Sequence, residues 1–311
     1  MRGVPVTFAE YVAMPSVNWS TLRAILRSPL HYQHALAHPM AETPAMRLGS
    51  AVHCAVLEPD VFPLRYVVVT PEQIADLAPP RNTREGRAAW AAYLDAHPDQ
   101  PDRVDSDEYQ RLVLADALPG KVLLAADTYD RCLAIRDAVQ AHPAAGPYVA
   151  GAGANETVIA WDDPAIGRCK GRLDRVSDNP PAIVDLKTSR DIDSGAFGRQ
   201  AAALLWHAQL AWYQAGWKRA TGVLLPCVIV AVENTPPYDV ALVNVDEDSL
   251  EAGRDDVRRA ISTLAECRAS GEWPGRYPSP VALQLPSWVF PGEGVDGLGL
   301  DFGSNTAGME G

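Results

Sequence analysis

Apolar residues recur at helical spacing through most of the first 150 residues and in short β-branched runs from residue 156 onward. Spacings of three and four residues predict amphipathic helices, whereas compact Val- and Ile-rich runs between turn residues predict strands. The predicted elements, in chain order, are helices over 18–27, 31–38 and 47–58, a strand over 66–70, a helix over 86–96, two helices between 107 and 142, strands from 156 to 187, a helix over 204–221, strands over 223–232 and 240–245, and a helix over 250–270. This order indicates one α/β domain over residues 1–275, with a mixed central sheet flanked by helices.

Two segments depart from this pattern. Residues 79–107 are rich in Pro, Arg and Asp around a short helix, so we expect an exposed insertion there. Residues 276–311 are predicted to form an extended, partly flexible tail, because the last 21 residues contain seven glycines.

The composition is that of a soluble globular protein: 47% of the 311 residues are hydrophobic and 21% are charged. No run approaches the roughly 18 apolar residues of a membrane span, and the N-terminus lacks the apolar core of a signal peptide. We therefore expect a cytoplasmic protein without a membrane partner. The five cysteines are widely spaced and form no C-x-x-C pair, which disfavours a disulfide scaffold, a zinc ribbon and an iron–sulfur cluster.

The net charge of −12 argues against broad adhesion to nucleic acid, but one segment is locally basic. Between residues 168 and 175 stand four basic residues and one acid. The basic residues are Arg168, Lys170, Arg172 and Arg175. They are candidates for contacts with DNA phosphates, and a solvated strand edge is the alternative.

Two acids and a lysine carry the main chemical signal. Two β-rich runs, 171–176 and 182–187, are separated by the turn cluster Ser177-Asp-Asn-Pro-Pro181, so they are predicted to pair as a hairpin that brings Asp174 beside Asp185. Because side chains alternate along a strand, Asp185 and Lys187 face the same side. Two carboxylates and one ammonium on one spot suit a Mg²⁺ site for phosphodiester hydrolysis.

Glu156 begins the strand that precedes this hairpin. A third carboxylate there would complete the coordination of two metal ions, as in two-metal phosphoryl-transfer enzymes. The alternative is an ordinary glutamate at the end of a strand.

Four motifs occur in a set order: Gly49-Ser-Ala-Val-His53, Gly171-Arg-Leu-Asp174, Asp185-Leu-Lys187 and Gln209-Leu-Ala-Trp-Tyr213. Together they resemble the RecE-type (exonuclease VIII-like) branch of the PD-(D/E)xK nuclease superfamily, which is related to the RecB nuclease domain. The segments 28–32 and 82–90 also resemble that branch, so the likeness covers roughly residues 16–270. It implies a restriction-endonuclease-like core.

The resemblance implies roles for these residues. Asp174 and Asp185 would be catalytic metal ligands for two Mg²⁺ ions, with Mn²⁺ as a substitute, and Lys187 would orient the attacking water or stabilise negative charge. His53 would contact a metal through neutral imidazole, although its apolar helical face also fits a core histidine. Gln209 and Tyr213 share a helical face and would border the catalytic centre and the DNA end.

The implied activity is a Mg²⁺-dependent, double-strand-specific 5′→3′ exonuclease that leaves 3′ single strands for a RecT-like annealing protein. Such enzymes tend to form rings around DNA, so we expect a homo-oligomer in the cytoplasm of a bacterium, encoded by host, phage or prophage. An endonuclease, a single-strand-specific Cas4-like nuclease and a non-catalytic DNA-binding module are the alternatives. Within the predicted insertion, Arg81, Arg84 and Arg87 fall at helical spacing and would contact phosphates, unless they form a solvated face.

Overall fold

The structure is a computed structural model that describes residues 6–38, 43–99, 104–277, 279–286 and 289. Most helices begin at a Ser, Thr, Asn or Asp whose side chain accepts a hydrogen bond from the first turn. In chain order the helices are Phe8–Ala13 (α1), Trp19–Leu22 (α2), a 3₁₀ turn Arg23–Leu26, Pro29–Ala37 (α3), Pro44–Leu57 (α4), Phe62–Arg65 (α5), Pro71–Leu77 (α6), Arg84–Ala96 (α7), Ser106–Ala117 (α8), Ala126–Ala141 (α9), Gly146–Ala150 (α10), Ser194–Leu204 (α11), Trp206–Thr221 (α12) and Glu247–Ser270 (α13).

A five-stranded mixed sheet organises the fold. Its strands are Gly153–Asp163 (β3), Gly167–Asp178 (β4), Pro181–Ser189 (β5), Cys227–Glu233 (β6) and Val240–Asn244 (β7). They lie side by side in chain order, and every neighbouring pair is antiparallel except β5 and β6, which α11 and α12 connect in parallel. A separate parallel pair joins Tyr66–Val68 (β1) to Val122–Leu124 (β2).

The central strands β5 and β6 are buried on both faces, which explains their almost continuous apolar sequences. Ile183 and Ile229 belong to a core shared with α12 and α13, whereas Val184 and Val230 belong to a second core shared with α4 and α9. The expected α/β fold, a mixed sheet flanked by helices, is therefore confirmed.

The segment predicted as an exposed insertion has a small core of its own. Trp90 stacks on Tyr93 and meets Tyr109 edge-on, and α6, α7 and α8 pack around them. The helix predicted over 86–96 begins at Arg84, where Thr83 caps it.

Other differences have local causes. The pattern missed β2, which has only three residues, and α11, whose sequence is rich in Ala and Gly and so carries little periodicity. The glycine-rich segment 291–311 lies outside the described residues. In the part of the chain described, no helix is long and apolar enough to cross a membrane.

Candidate functional site

The hairpin of β4 and β5 places the two predicted acids across from each other. Their ladder is paired from Asp178 and Pro181 as far as Arg175 and Val184, and the next step of the same register sets Asp174 opposite Asp185. The ladder opens there because the Asp174 carboxylate accepts the Leu186 backbone N–H at 3.0 Å. The side chain therefore replaces a strand–strand hydrogen bond and holds a carboxylate between the strands.

Asp185 is almost completely buried, with 1% of its surface exposed, and Lys187 lies on the same side of β5. Lys187 Nζ is 2.6 Å from Asp185 Oδ2. Burial raises the pKa of Asp185 to about 6, even though the ammonium group acts to lower it. Burial also acts against the charge of Lys187, but the Asp185 and Asp174 carboxylates outweigh that effect and raise the lysine pKa.

The Asp185 carboxylate has the character of an incomplete cation site. Asp185 Oδ2 contacts the Lys187 ammonium group, whereas Oδ1 has no hydrogen-bond donor among the described residues. A buried carboxylate oxygen without a donor is costly, and a divalent cation is a partner that relieves the cost. No three His, Cys, Asp or Glu side chains in the described ranges converge as a metal site in their present rotamers. The donor types fit Mg²⁺ or Mn²⁺, and binding would require side-chain rotation.

His53 projects from α4 onto the same spot. Its Nε2 is 2.7 Å from the Leu186 carbonyl oxygen, which can only accept, so we assign the ring proton to Nε2. Nδ1 then keeps its lone pair and faces Asp174 Oδ2 at 3.6 Å. A ring nitrogen oriented by a backbone carbonyl on the other side is the usual arrangement of a metal-binding histidine.

Glu156 on β3 lies opposite Asp174 on β4. The neighbouring pairs fix this register, since Asn155 pairs with Arg175 and Thr157 pairs with Leu173. Its backbone has a φ of +50°, a left-handed conformation that is strained for a residue with a Cβ.

The Glu156 side chain is paired with a cation. Its carboxylate is 2.7 Å from Arg172 Nη2. Burial and the neighbouring Asp174 raise the pKa of Glu156 to about 7, in spite of Arg172.

Gln209 and Tyr213 lie one turn apart on α12 and extend the cluster. Lys187 Nζ donates to Gln209 Oε1 at 3.4 Å, and Gln209 Nε2 donates to the Tyr213 hydroxyl at 3.0 Å. Burial, reinforced by Asp174, raises the Tyr213 pKa well above its usual value. The structure thus brings together all seven residues predicted as catalytic or metal-binding: His53, Glu156, Asp174, Asp185, Lys187, Gln209 and Tyr213.

A cavity of about 810 Å³ opens onto this cluster, and part of its wall was not anticipated from the sequence. The short helix α1 contributes Phe8 and Tyr11, and the region around the end of α4 contributes Glu58 and Arg65. The capping box formed by Thr7 and Glu10 is a sequence signal for the start of α1. No local signal in the sequence connects that helix with the site.

Three of the predicted DNA-binding residues donate to backbone carbonyl groups of the framework, which corrects those predictions. Lys170 is buried and donates to the backbone carbonyls of Tyr11, Val12 and Met14 at the end of α1. Arg175 is buried on the opposite side of β4, where it donates to Tyr148 O, Gly151 O and Asn155 Oδ1. Neither cation can reach a bound nucleic acid.

Arg81 is likewise engaged within its own segment. It donates to the Val104 carbonyl and lies over the Trp90 ring at 5.0 Å. Arg168 and Arg84 are exposed and Arg172 lines the cavity, so their contact with DNA stays a prediction.

The fold and the acid–acid–lysine hairpin define a PD-(D/E)xK-type protein. The chain belongs to the family described as a PDDEXK-like domain of unknown function (DUF3799), which matches residues 18–279. This membership confirms the superfamily expected from the motifs, whereas the RecE-type branch stays a prediction.

A solved structure shares the fold. A candidate exonuclease from Eubacterium rectale is similar with a TM-score of 0.54 and 14% identity, over 91% of this chain and 96% of that chain. A phage-related exonuclease from Haemophilus somnus 129PT has a TM-score of 0.30 and 11% identity, over 67% of this chain and 98% of that one, and so low a score carries no weight. A search of the curated proteins found no match.

Proposed function

We propose that this protein is a Mg²⁺-dependent exonuclease that acts on the ends of double-stranded DNA. The observation that carries the proposal is the buried Asp185, which lies between Asp174 and Lys187 and whose Oδ1 has no donor among the described residues. This is the acid–acid–lysine set of the superfamily to which the chain belongs.

Asp174, Asp185, Glu156 and the Nδ1 atom of His53 are the groups that would hold Mg²⁺, with Mn²⁺ as a substitute. When bound, the metal would supply an activated water and neutralise charge on the phosphate. The Leu186 backbone contributes on both sides, because its N–H orients Asp174 and its carbonyl orients His53. These contacts orient two of the four ligand groups.

Lys187 serves as the proton-bearing cation of the centre. Because its pKa is raised, it stays charged at neutral pH and donates hydrogen bonds to an oxygen that gains negative charge. Gln209 accepts a hydrogen bond from Lys187, and Tyr213 in turn receives one from Gln209, so α12 positions the ammonium group. Disturbing these hydrogen bonds should slow the chemical step without preventing metal binding.

The polarity, the product and the oligomeric state are proposed from the family resemblance. We propose 5′→3′ polarity, a 3′ single-stranded product for a RecT-like annealing protein, and a ring-shaped homo-oligomer in the bacterial cytoplasm. A ring would retain DNA by enclosing it, which is compatible with a net charge of −12. Uniformly distributive digestion by a monomer in solution would contradict the ring.

The test is digestion of end-labelled linear duplex in the presence of Mg²⁺, compared with covalently closed circular duplex and single-stranded DNA. We expect the linear duplex to be degraded and the closed circle to survive. Substrates with 5′-phosphate and 5′-hydroxyl ends, labelled at either terminus, report polarity.

The Asp185→Asn variant, with an almost isosteric side chain, is the negative control and should be inactive while folded by circular dichroism. Cutting of the closed circle would indicate an endonuclease, and a preference for single strands would indicate a Cas4-like activity. Undiminished digestion by Asp185→Asn would exclude the proposed catalytic centre.

A further inference from the structure

One edge of the central sheet is open beside an apolar groove that has no role in the function proposed so far. β7 is the last strand of the sheet, and a groove of about 510 Å³ lies next to it, between α11 and the first two turns of α13. We call it the β7 groove. Its helical walls carry the small residues Ser194, Gly198, Ala201, Ala202, Ser249 and Ala252. Because these residues are short, larger apolar side chains have room between the two helices.

The floor of the β7 groove is a partly exposed area of the sheet. Four apolar residues of intermediate exposure form it, namely Ile192, Ala241, Val243 and Val245. The ionisable residues of the lining are engaged within the chain. His207 Nε2 lies 3.1 Å from Asp256 Oδ2, and Asp246 Oδ1 caps α13 by accepting the Ser249 N–H at 2.7 Å. The surface left open to a ligand is therefore mainly apolar.

The backbone of β7 presents unpaired groups at this edge. Val245 N–H donates to Cys227 O at 3.1 Å, so every second residue over 239–245 is hydrogen-bonded to β6. The residues in between direct their N–H and C=O groups away from β6. Among them are Leu242 and Asn244, which face the side of β7 where the sheet ends. Such an edge is a template for one more strand.

A segment near the end of the described chain has the complementary character. Residues 281–285 read Val-Ala-Leu-Gln-Leu with a proline on each side, and they form neither helix nor strand. Val281, Leu283 and Leu285 are 64%, 86% and 46% exposed, and their two-residue spacing puts them on one face of an extended chain. We call this segment the 281–285 arm, and it has the length of β7. In one chain the arm therefore leaves both its own apolar face and the β7 groove uncovered.

The base of the arm is fixed to the body of the protein. Trp273 stacks on Tyr32 at 5.9 Å between ring centres, and Pro274 O accepts the Leu30 N–H at 3.1 Å. Beyond this anchor, residues 277–290 contain no charged side chain. Two copies with a net charge of −12 repel each other, so an uncharged, apolar segment is suited to join them.

We propose that the 281–285 arm of one copy pairs with β7 of a second copy and places Leu283 in the β7 groove. Leu283 then stands beside Ala241 or Val243, since directly paired residues of neighbouring strands face the same side. The outward backbone groups of β7 gain a partner strand at the same time. This inference rests on the proposed homo-oligomer and names its contact. Because the arm and the groove are different surfaces, the contact is head-to-tail and is able to close into a ring.

Sedimentation velocity of the full-length protein over a range of concentrations tests the contact. Leu283→Glu should raise the dissociation constant of the assembly at least about a hundredfold, because it would bury a charge in the groove. Gln284→Glu adds the same charge on the opposite face of the arm and should assemble like wild type. Ala202→Trp fills the groove and should act like Leu283→Glu, whereas Ala203→Trp, on the same helix but outside the lining, should not. All four positions are exposed, so circular dichroism should show folded variants.

Mixing two of these variants determines whether the contact joins different copies. Leu283→Glu keeps an intact groove and Ala202→Trp keeps an intact arm, so the mixture should form a dimer through one arm–groove contact. A mixture that stays monomeric would overturn the proposed exchange. Wild-type assembly by Leu283→Glu would overturn it too, as would a wild-type protein that is monomeric at every concentration. If Ala202→Trp fails to fold, the contrast between Leu283→Glu and Gln284→Glu decides the question.

Digestion of linear duplex separates this inference from the proposed function. Asp185→Asn should be inactive and should assemble like wild type, which supports both. A wild-type monomer that digests duplex overturns the exchange alone. An assembled wild type that leaves duplex intact in Mg²⁺ overturns the proposed function alone.

Discussion

Replacing Glu156 with glutamine should stabilise the metal-free protein at alkaline pH and leave its stability unchanged at acid pH. Burial and the Asp174 carboxylate raise the pKa of Glu156 from 4.5 to about 7. Because the folded-state pKa is the higher one, the folded protein holds this proton more tightly than the unfolded chain does. The stability contributed by the protonated side chain is therefore complete below about pH 4.5 and is lost as the pH rises through about 7.

The size of the effect follows from the separation between the two pKa values. From 4.5 to about 7 is about 2.5 pH units, and each unit corresponds to about 1.4 kcal/mol, so the ionised carboxylate costs about 3 kcal/mol. Glutamine has the shape of the protonated side chain and cannot ionise. In a chain of this size about 3 kcal/mol corresponds to a Tm difference of about 5 °C.

Differential scanning calorimetry with EDTA, at about pH 4 and about pH 8, measures this difference. Wild type and Glu156→Gln should converge at the lower pH and separate at the higher one. The exposed Glu272→Gln exchange serves as the control and should show no such divergence. Excess Mg²⁺ should then raise the Tm of wild type more than that of Glu156→Gln. A Tm difference of equal size at both pH values would refute the reasoning, because it would show that Glu156 does not titrate in the folded protein.

Three further variants test the centre and its supports. Lys187→Ala should lower the rate of duplex digestion about 10²–10³-fold while Mn²⁺ binding persists, and a wild-type rate would exclude its proposed role. Arg175→Met should lower the free energy of unfolding by at least about 3 kcal/mol in urea titrations, because it leaves buried acceptors without a donor, with unchanged activity per folded molecule. Gly253→Ala should cost about 1–3 kcal/mol in the same assay, because its Cβ would collide with the His207 carbonyl of α12, and wild-type stability would contradict that close packing.

The arrangement of the acids could be predicted from the sequence because its determinants are local. A turn cluster between two β-rich runs fixes a hairpin, and the two-residue period then places Lys187 on the side of Asp185. The spacing of Gln209 and Tyr213 fixes one helical face in the same way. Each inference needs only the geometry of one element or of one tight connection.

Local patterns do not predict contacts between distant segments, and the place of His53 in the site was predicted only from the family resemblance. His53 reaches the site only because α4 packs across β5, and the orientation of its ring is set by a carbonyl 133 residues further along the chain. The role of α1 depends on the same kind of contact. Nothing in the sequence of residues 8–13 indicates that Phe8 and Tyr11 line the cavity of a site formed by β4.

The basic residues of β4 show that the alternation of side chains along a strand decides which charges of a cluster face the site. Lys170, Arg172 and Asp174 are two residues apart, and all three contact α1 or the cavity that it lines. Arg175 is one residue out of phase, so it points away and binds the loop after α10.

Lys170 holds the carbonyl end of α1, where unpaired carbonyl groups and the helix dipole favour a cation. Two of the four basic residues that resemble a DNA-binding surface in the sequence therefore stabilise the framework of the site. Arg172 and Lys187 keep positive charge at the centre, and each of them is paired with one of the proposed metal ligands.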